Sequence, residues 1–207
     1  MMDSERLLVI ATGSSAASIL TAYLAELKAA LDLRIDVLMT TAAERFVRAE
    51  VVGWYADSVM TCDTQGLNPI EAALTARAIV VLPASANTLA SAALGLMATP
   101  ATTALAAAPS PTMYFPHMNG VVWAKPFVQQ HVATLRERGD TVVAPIEREV
   151  FQIWRGGKHV APAMPGPTDA AEIVKNWLSA REPTTHGDDA ARATAAPSQP
   201  PSARRAA

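Results

Sequence analysis

Short apolar runs alternate along the chain with longer stretches in which apolar residues recur every three or four positions, and the alternation holds almost to residue 180. RLLVIAT (Arg6 to Thr12) is apolar throughout, as a central parallel strand covered on both faces must be. It stops at Gly13, and the next stretch sets Ile19, Leu20, Tyr23, Leu24, Leu27 and Leu31 at helical spacing. A second strand pattern, RIDVLMT, leads into AAERFVRAEVVGWY, which predicts a helix with Phe46, Val47 and Val51 turned inward and Gly53 near its end. Residues 59–66 read as a loop or short edge piece, and NPIEAALTA as a short helix with Pro69 in its first turn. The theme then repeats as strand RAIVVLP, helix TLASAALGLM, strand PTMYFP, helix PFVQQHVATLRERGD and strand TVVAP. A hairpin pattern, VFQIWRGGKHVAP, turns at Gly156 and Gly157, and DAAEIVKNWLSA closes as a helix. Strands and helices alternating through short connectors predict an α/β fold, a doubly wound parallel sheet in three layers, α/β/α.

The chain has 207 residues, half of them apolar, which suffices for one domain with a substantial core. That domain is expected over 1–181. Residues 182–207, rich in Pro, Ala, Ser and charge and lacking apolar periodicity, are expected to be a disordered tail. A formal net charge of −2 gives no basic field for nucleic acid or an anionic membrane, and no stretch approaches the ~18 apolar residues of a membrane span. Small molecules or peptides are the expected partners. One cysteine, Cys62, excludes an internal disulfide and a four-cysteine zinc site, and no metal site is expected. The acidic N-terminus with its short apolar run does not read as a secretory signal, so the expected setting is cytoplasmic.

Ligands of doubly wound sheets sit at the carboxyl ends of the strands. The chemistry is therefore sought just after Thr12, Met39, Leu82 and Phe115. ATGSSAAS places Gly13, Ser14 and Ser15 where a strand meets a helix start, either as a phosphate cradle or as a plain serine cap. The G-x-G-x-x-G pattern is absent, and Thr40 and Thr41 stand where dinucleotide sites carry an acidic residue, so a mononucleotide with one phosphate is the better candidate. The third exit, PASANT, offers Ser85, Asn87 and Thr88. The fourth, FPHMNGVVW, offers His117, Met118 and Asn119. Four polar exits on one sheet edge describe a pocket.

PASANT (Pro83 to Thr88) followed by PHMNGVVW (Pro116 to Trp123) resembles the paired signatures of the homo-oligomeric flavin-containing cysteine decarboxylases. That family includes the phosphopantothenoylcysteine decarboxylases and the peptidyl-cysteine decarboxylases of ribosomal peptide natural products. The resemblance runs from Leu7 to about Leu178, with ATGSSAAS and the stretch to VVAP in the expected order. It implies a flavodoxin-like (Rossmann-like) fold, bound FMN, and assembly into trimers or a dodecamer of trimers with flavin at subunit interfaces. It also implies roles for residues. Gly13, Ser14, Ser15 and Thr40 would hold the phosphate region, while Phe46, Ser85, Ala86, Asn87, Thr88 and Met118 would line the flavin and its ribityl chain. Asn119 would grip the substrate carboxylate, and a hairpin over about 146–164, with Phe151, Ile153 and His159, would clamp a peptide.

Two departures narrow the expectation. The family's active-site histidine falls, counting back from Pro83, on Pro69, which has no proton to move. His117, whose imidazole titrates near neutrality, is the candidate substitute base, with a packing spacer as its other reading. Coenzyme A pathway members also carry a clamp cysteine. Here none lies between Pro145 and Pro165, and Cys62 is remote in sequence. The implied reaction is oxidative decarboxylation of a C-terminal cysteine of a precursor peptide to an aminoenethiolate, leading to an aminovinyl-cysteine ring of lanthipeptide, linaridin or thioamitide type. Phosphopantothenoylcysteine decarboxylation and non-catalytic flavin binding are the alternatives.

Overall fold

The first apolar run forms β1 (Arg6–Ala11), buried from Leu7 onward. The computed structural model describes residues 5–152 and 155–181; the tail expected over 182–207 and the clamp candidate Ile153 lie outside the described residues. A 3-10 turn (Ser15–Ile19) follows, then α1 (Leu20–Ala30), β2 (Arg34–Met39), α2 (Ala49–Val52), β3 (Ser58–Thr61) and α3 (Pro69–Leu74). Next come β4 (Ala78–Ala84), α4 (Ala86–Leu94), α5 (Pro100–Ala106), β5 (Met113–Pro116), α6 (Gly120–Trp123), α7 (Pro126–Glu137) and β6 (Thr141–Val142). A separate antiparallel hairpin of β7 (Ile146–Gln152) and β8 (Gly157–Ala163) precedes α8 (Pro167–Ser179).

The first six strands form one parallel sheet in the order β3-β2-β1-β4-β5-β6. The chain winds outward from β1 to β3, then crosses back and winds the other way from β4. The reversal lies between β1 and β4, where open α/β sheets form their ligand crevice. Side-chain alternation divides the core in two. Leu7, Val9 and Ala11 meet Leu20, Leu24 and Leu27 of α1 and Val174 and Leu178 of α8. Leu8 and Ile10 face the opposite layer, with Leu89 of α4, Ala104 of α5 and Leu135 of α7. Each such fully buried leucine contributes about 1.5–3 kcal/mol relative to exposure, so both layers are held by the same strand.

The structure corrects several expected elements. The stretch 42–55 is not one helix: turns run to residue 47, only Ala49–Val52 is helical, and Val52 rather than Val51 is the buried residue. Thr40 explains this, because its carbonyl and Oγ1 both accept the Ala43 N–H, at 2.8 and 3.2 Å, and bend the chain over the end of the sheet. Phe46 consequently stays half in solvent, at 44% exposure, and Ile19, expected on the buried face of the first helix, is 51% exposed at the end of the 3-10 turn. Of the two readings for residues 59–66, the short edge piece is the one that forms, as β3 over Ser58–Thr61, paired in parallel with β2. The helix after PASANT ends at Leu94, because Gly95 adopts a left-handed φ of 70° and terminates it. A further helix, α5, then starts at Thr99 with a capping box and Pro100 in its first turn.

Candidate active site

The carboxyl ends of β1, β2, β4 and β5 meet around a crevice of about 890 Å³, within the range of small-molecule and cofactor sites. Thr12 fastens the first exit to the third. Its Oγ1 donates to the Pro83 carbonyl at 2.7 Å and accepts the Ser85 N–H at 2.9 Å. Ser14 fastens the first exit to the fourth: its Oγ lies 2.6 Å from His117 Nδ1 and 3.1 Å from the His117 carbonyl oxygen. The His117 N–H in turn donates to the Ala84 carbonyl at 2.9 Å. Thr40 donates its hydroxyl to the Ala11 carbonyl at 3.2 Å. The four exits are thus bonded to one another as well as adjacent.

Two caps shape the crevice floor. Ser85 is the N-cap of α4, accepting the Thr88 N–H at 3.3 Å with its Oγ 2.9 Å from Thr88 Oγ1. Asn119 caps α6, its Oδ1 accepting the Val121 N–H at 2.9 Å. With Oδ1 engaged, the Nδ2 hydrogens are what this side chain has to offer a ligand, and they suit a carboxylate.

Every flavin-site residue named from the sequence lines this crevice: Gly13, Ser14, Ser15, Thr40, Phe46, Ser85, Ala86, Asn87, Thr88 and Met118, together with His117 and Asn119. The peptide-clamp candidates divide. Phe151 lines a second cavity of about 440 Å³ under the hairpin, shared with Tyr23, Arg148 and His117. His159 pairs with Val150 in the hairpin ladder and lines neither cavity. His117 therefore stands between the crevice and the hairpin cavity.

Among the lining residues that sequence reasoning missed, three carry polar or sulfur side chains from elements it did not place at the site. Thr99 and Thr102 reach the crevice through α5, which the Thr-Pro-x-Thr start signal would have revealed. Cys62, expected far away, also lines it, with its Sγ 3.7 Å from the Met39 carbonyl. The reason is β3: a parallel edge strand delivers its exit to the same sheet edge as the others. Pro69 is elsewhere. It follows Asn68, which caps α3 by accepting the Ile70 and Glu71 N–H groups at 3.2 Å and lines a separate cavity of about 370 Å³.

The electrostatics are simple. No Asp, Glu, Lys or Arg lines the crevice among the described residues, so an anion meets hydroxyls and amides without a like charge opposing it. Burial holds the His117 imidazole below the ordinary histidine value, which keeps the ring unprotonated at neutral pH and so leaves a ring nitrogen able to accept a proton. The donor set fits a flavin mononucleotide: hydroxyls of Ser15 and Thr41 for a phosphate beside the backbone-bonded Thr40, and Phe46, Leu96, Met118 and Val122 as apolar walls for a flat ring. Gly13 fits too, since a Cβ there would stand 2.4 Å from the Ala42 Cβ. Only glycine lets the two exits close to this distance.

A protein-family model described as Flavoprotein matches residues 1–179. The mersacidin decarboxylase of Bacillus sp. (strain HIL-Y85/54728) is 30% identical over 186 residues, covering 87% of this chain and 94% of that protein. Among solved structures, a histidine-to-asparagine variant of EpiD complexed with the substrate peptide DSYTC superposes with a TM-score of 0.77 at 28% identity, covering 85% of this chain and 99% of that one. TvaF from thioviridamide biosynthesis, described as an FMN-dependent cysteine decarboxylase, superposes with a TM-score of 0.68 at 25% identity over 86% of this chain and 99% of that one.

Proposed function

The chain belongs to the Flavoprotein family, and from that premise we propose that it is an FMN-dependent decarboxylase of the C-terminal cysteine of a precursor peptide, yielding an aminoenethiolate. The observation that carries the reading is the convergence of Gly13 to Ser15, Thr40, Ser85 to Thr88 and His117 to Asn119 on one crevice. The mersacidin decarboxylase and the peptide-bound EpiD supply the substrate class by likeness.

The flavin, when bound, supplies the two-electron oxidation of the cysteine Cα–Cβ–S unit. The chain supplies the rest. Asn119 donates its Nδ2 hydrogens to the substrate carboxylate and so orients the bond that breaks. His117, neutral because it is buried, takes the thiol proton as the sulfur gains double-bond character. Loss of carbon dioxide then places the electron pair on the carbon framework of the oxidised cysteine, leaving the enethiolate. The β7–β8 hairpin covers the peptide, with Phe151 packing on the residues before the cysteine. The product serves an aminovinyl-cysteine ring in a lanthipeptide, linaridin or thioamitide pathway, and subunits pair so that the flavin lies between them. The absence of a cysteine from the whole hairpin sequence supports a peptide over phosphopantothenoylcysteine.

The test is incubation of the yellow purified protein with a peptide ending in cysteine and with the same peptide ending in serine. Mass spectrometry should show loss of one carbon dioxide and two hydrogens from the first alone. Flavin retention with no mass change on a panel of cysteine-ending peptides would sink the reading in favour of flavin binding without catalysis.

A further inference from the structure

We propose that Ser14 is a positioning residue that holds the His117 imidazole in its Nδ1–H tautomer, leaving Nε2 as the atom that accepts the substrate proton. This deepens the assignment of His117 above and rests on it.

The argument is one of counting protons. The Ser14 hydroxyl carries a single proton and faces two partners, His117 Nδ1 at 2.6 Å and the His117 carbonyl oxygen at 3.1 Å. If Nδ1 carries the ring proton, both contacts are hydrogen bonds: Nδ1–H donates to Ser14 Oγ, and the hydroxyl donates to the carbonyl. If Nδ1 is bare, the hydroxyl turns to it and one bond is lost. The Ser14 oxygen then faces a carbonyl oxygen at 3.1 Å with no proton between them. Ser14 is only 8% exposed, and losing a hydrogen bond to a largely buried hydroxyl is costly.

Both residues are anchored, so the contact cannot relax cheaply. The Ser14 N–H donates to the Thr12 carbonyl and the His117 N–H to the Ala84 carbonyl, each at 2.9 Å. Gly13, pressed on Ala42, fixes the approach of the Ser14 strand exit. The charged and titratable side chains facing His117 across its two cavities are Arg148 and Tyr23 on the hairpin side and Cys62 on the crevice side, and none is a hydrogen-bond partner of Nδ1. Ser14 is thereby the group that decides which nitrogen is the base. Its hydroxyl is committed to the His117 ring and carbonyl, and phosphate contacts fall to Ser15 at this exit and Thr41 at the next.

The test uses flavin-loaded protein with ¹⁵N in its four histidines, the His117 signals being assigned by their loss in His117→Gln. Long-range proton–nitrogen spectra should show His117 protonated on Nδ1 in the wild-type protein and in Ser14→Thr, and a tautomer mixture in Ser14→Ala. In parallel, Ser14→Ala should retain flavin absorbance and peptide KM while kcat falls roughly tenfold, and Ser14→Thr should recover most of it. A wild-type ring protonated on Nε2, in an active protein, overturns the tautomer assignment. Unchanged kcat in Ser14→Ala overturns the positioning role. A wild-type protein that holds flavin yet releases no carbon dioxide from any cysteine-ending peptide overturns the reading of the reaction instead, whatever the ring tautomer.

Discussion

The two ends of β5 each hold a titratable side chain that burial pushes toward its neutral form, and they use it differently. At the amino end, before β6, Asp140 is raised above the usual carboxylate range by burial. It accepts the Thr112 N–H at 2.7 Å, in a neighbourhood where Arg138 donates to the Ala92 and Ala93 carbonyls and Arg181 to the Pro111 carbonyl. Those donors serve carbonyls of the scaffold, and the Asp140 carboxyl, with Oδ1 engaged by the backbone, borders a separate cavity of about 430 Å³. At the carboxyl end His117 is lowered by burial, and its recorded side-chain partner is a serine hydroxyl on one ring nitrogen. The other nitrogen is left for a ligand. Burial alone therefore does not mark an active site; what marks it is a buried group with chemical capacity left over after the fold has been satisfied.

The sharpest way to break that contrast is to remove both side chains separately. His117→Ala should lower kcat on a cysteine-ending peptide by about 10²- to 10⁴-fold, the span of general base catalysis, with the flavin spectrum and thermal midpoint nearly unchanged. Full activity in this variant would make the carboxyl end as structural as the amino end. Asp140→Ala should do the reverse. It strands the N–H of Thr112, a residue only 2% exposed, and should cost about 1–3 kcal/mol in denaturant unfolding. Its kcat per flavin-loaded molecule should match the wild type, and a large loss there would show that the amino end reaches the chemistry.

These two ends also show what a sequence discloses. The carboxyl-end residues were legible because strand exits repeat a local pattern, an apolar run closed by glycine or proline and followed by Ser, Thr or Asn, and that pattern names Ser14, Ser85, Thr88 and Asn119 without knowledge of their neighbours. The alternation of strands and helices disclosed the sheet for the same reason. What stayed hidden depends on pairing across the chain. Ser14 and His117 are 103 residues apart, and no spacing rule joins them. Cys62 was misplaced because a four-residue edge strand, β3, has too few positions to show a period. The helix expected over 42–55 failed because Thr40 turns the backbone with a bond that outweighs helical spacing.

The smallest predicted effect, and the one that most sharpens the contrast, is the opposite sign of the pH dependence at the two ends. His117 has its folded value below the unfolded value of about 6.5. Between those values the unfolded chain binds more protons, so the stability that neutral His117 contributes is present above about pH 6.5 and lost as pH falls through the folded value. Asp140 has its folded value above the unfolded value of about 3.9. There the folded chain binds more protons, so its contribution is full below about pH 3.9 and lost as pH rises through the folded value. Chemical denaturation of the wild type, His117→Gln and Asp140→Asn across the acidic range separates the two. On acidification from pH 7.5 the wild type should lose stability relative to His117→Gln and gain it relative to Asp140→Asn. Parallel curves for all three would mean that neither burial acts on protonation, and the distinction between the ends of β5 would then rest on hydrogen bonding alone.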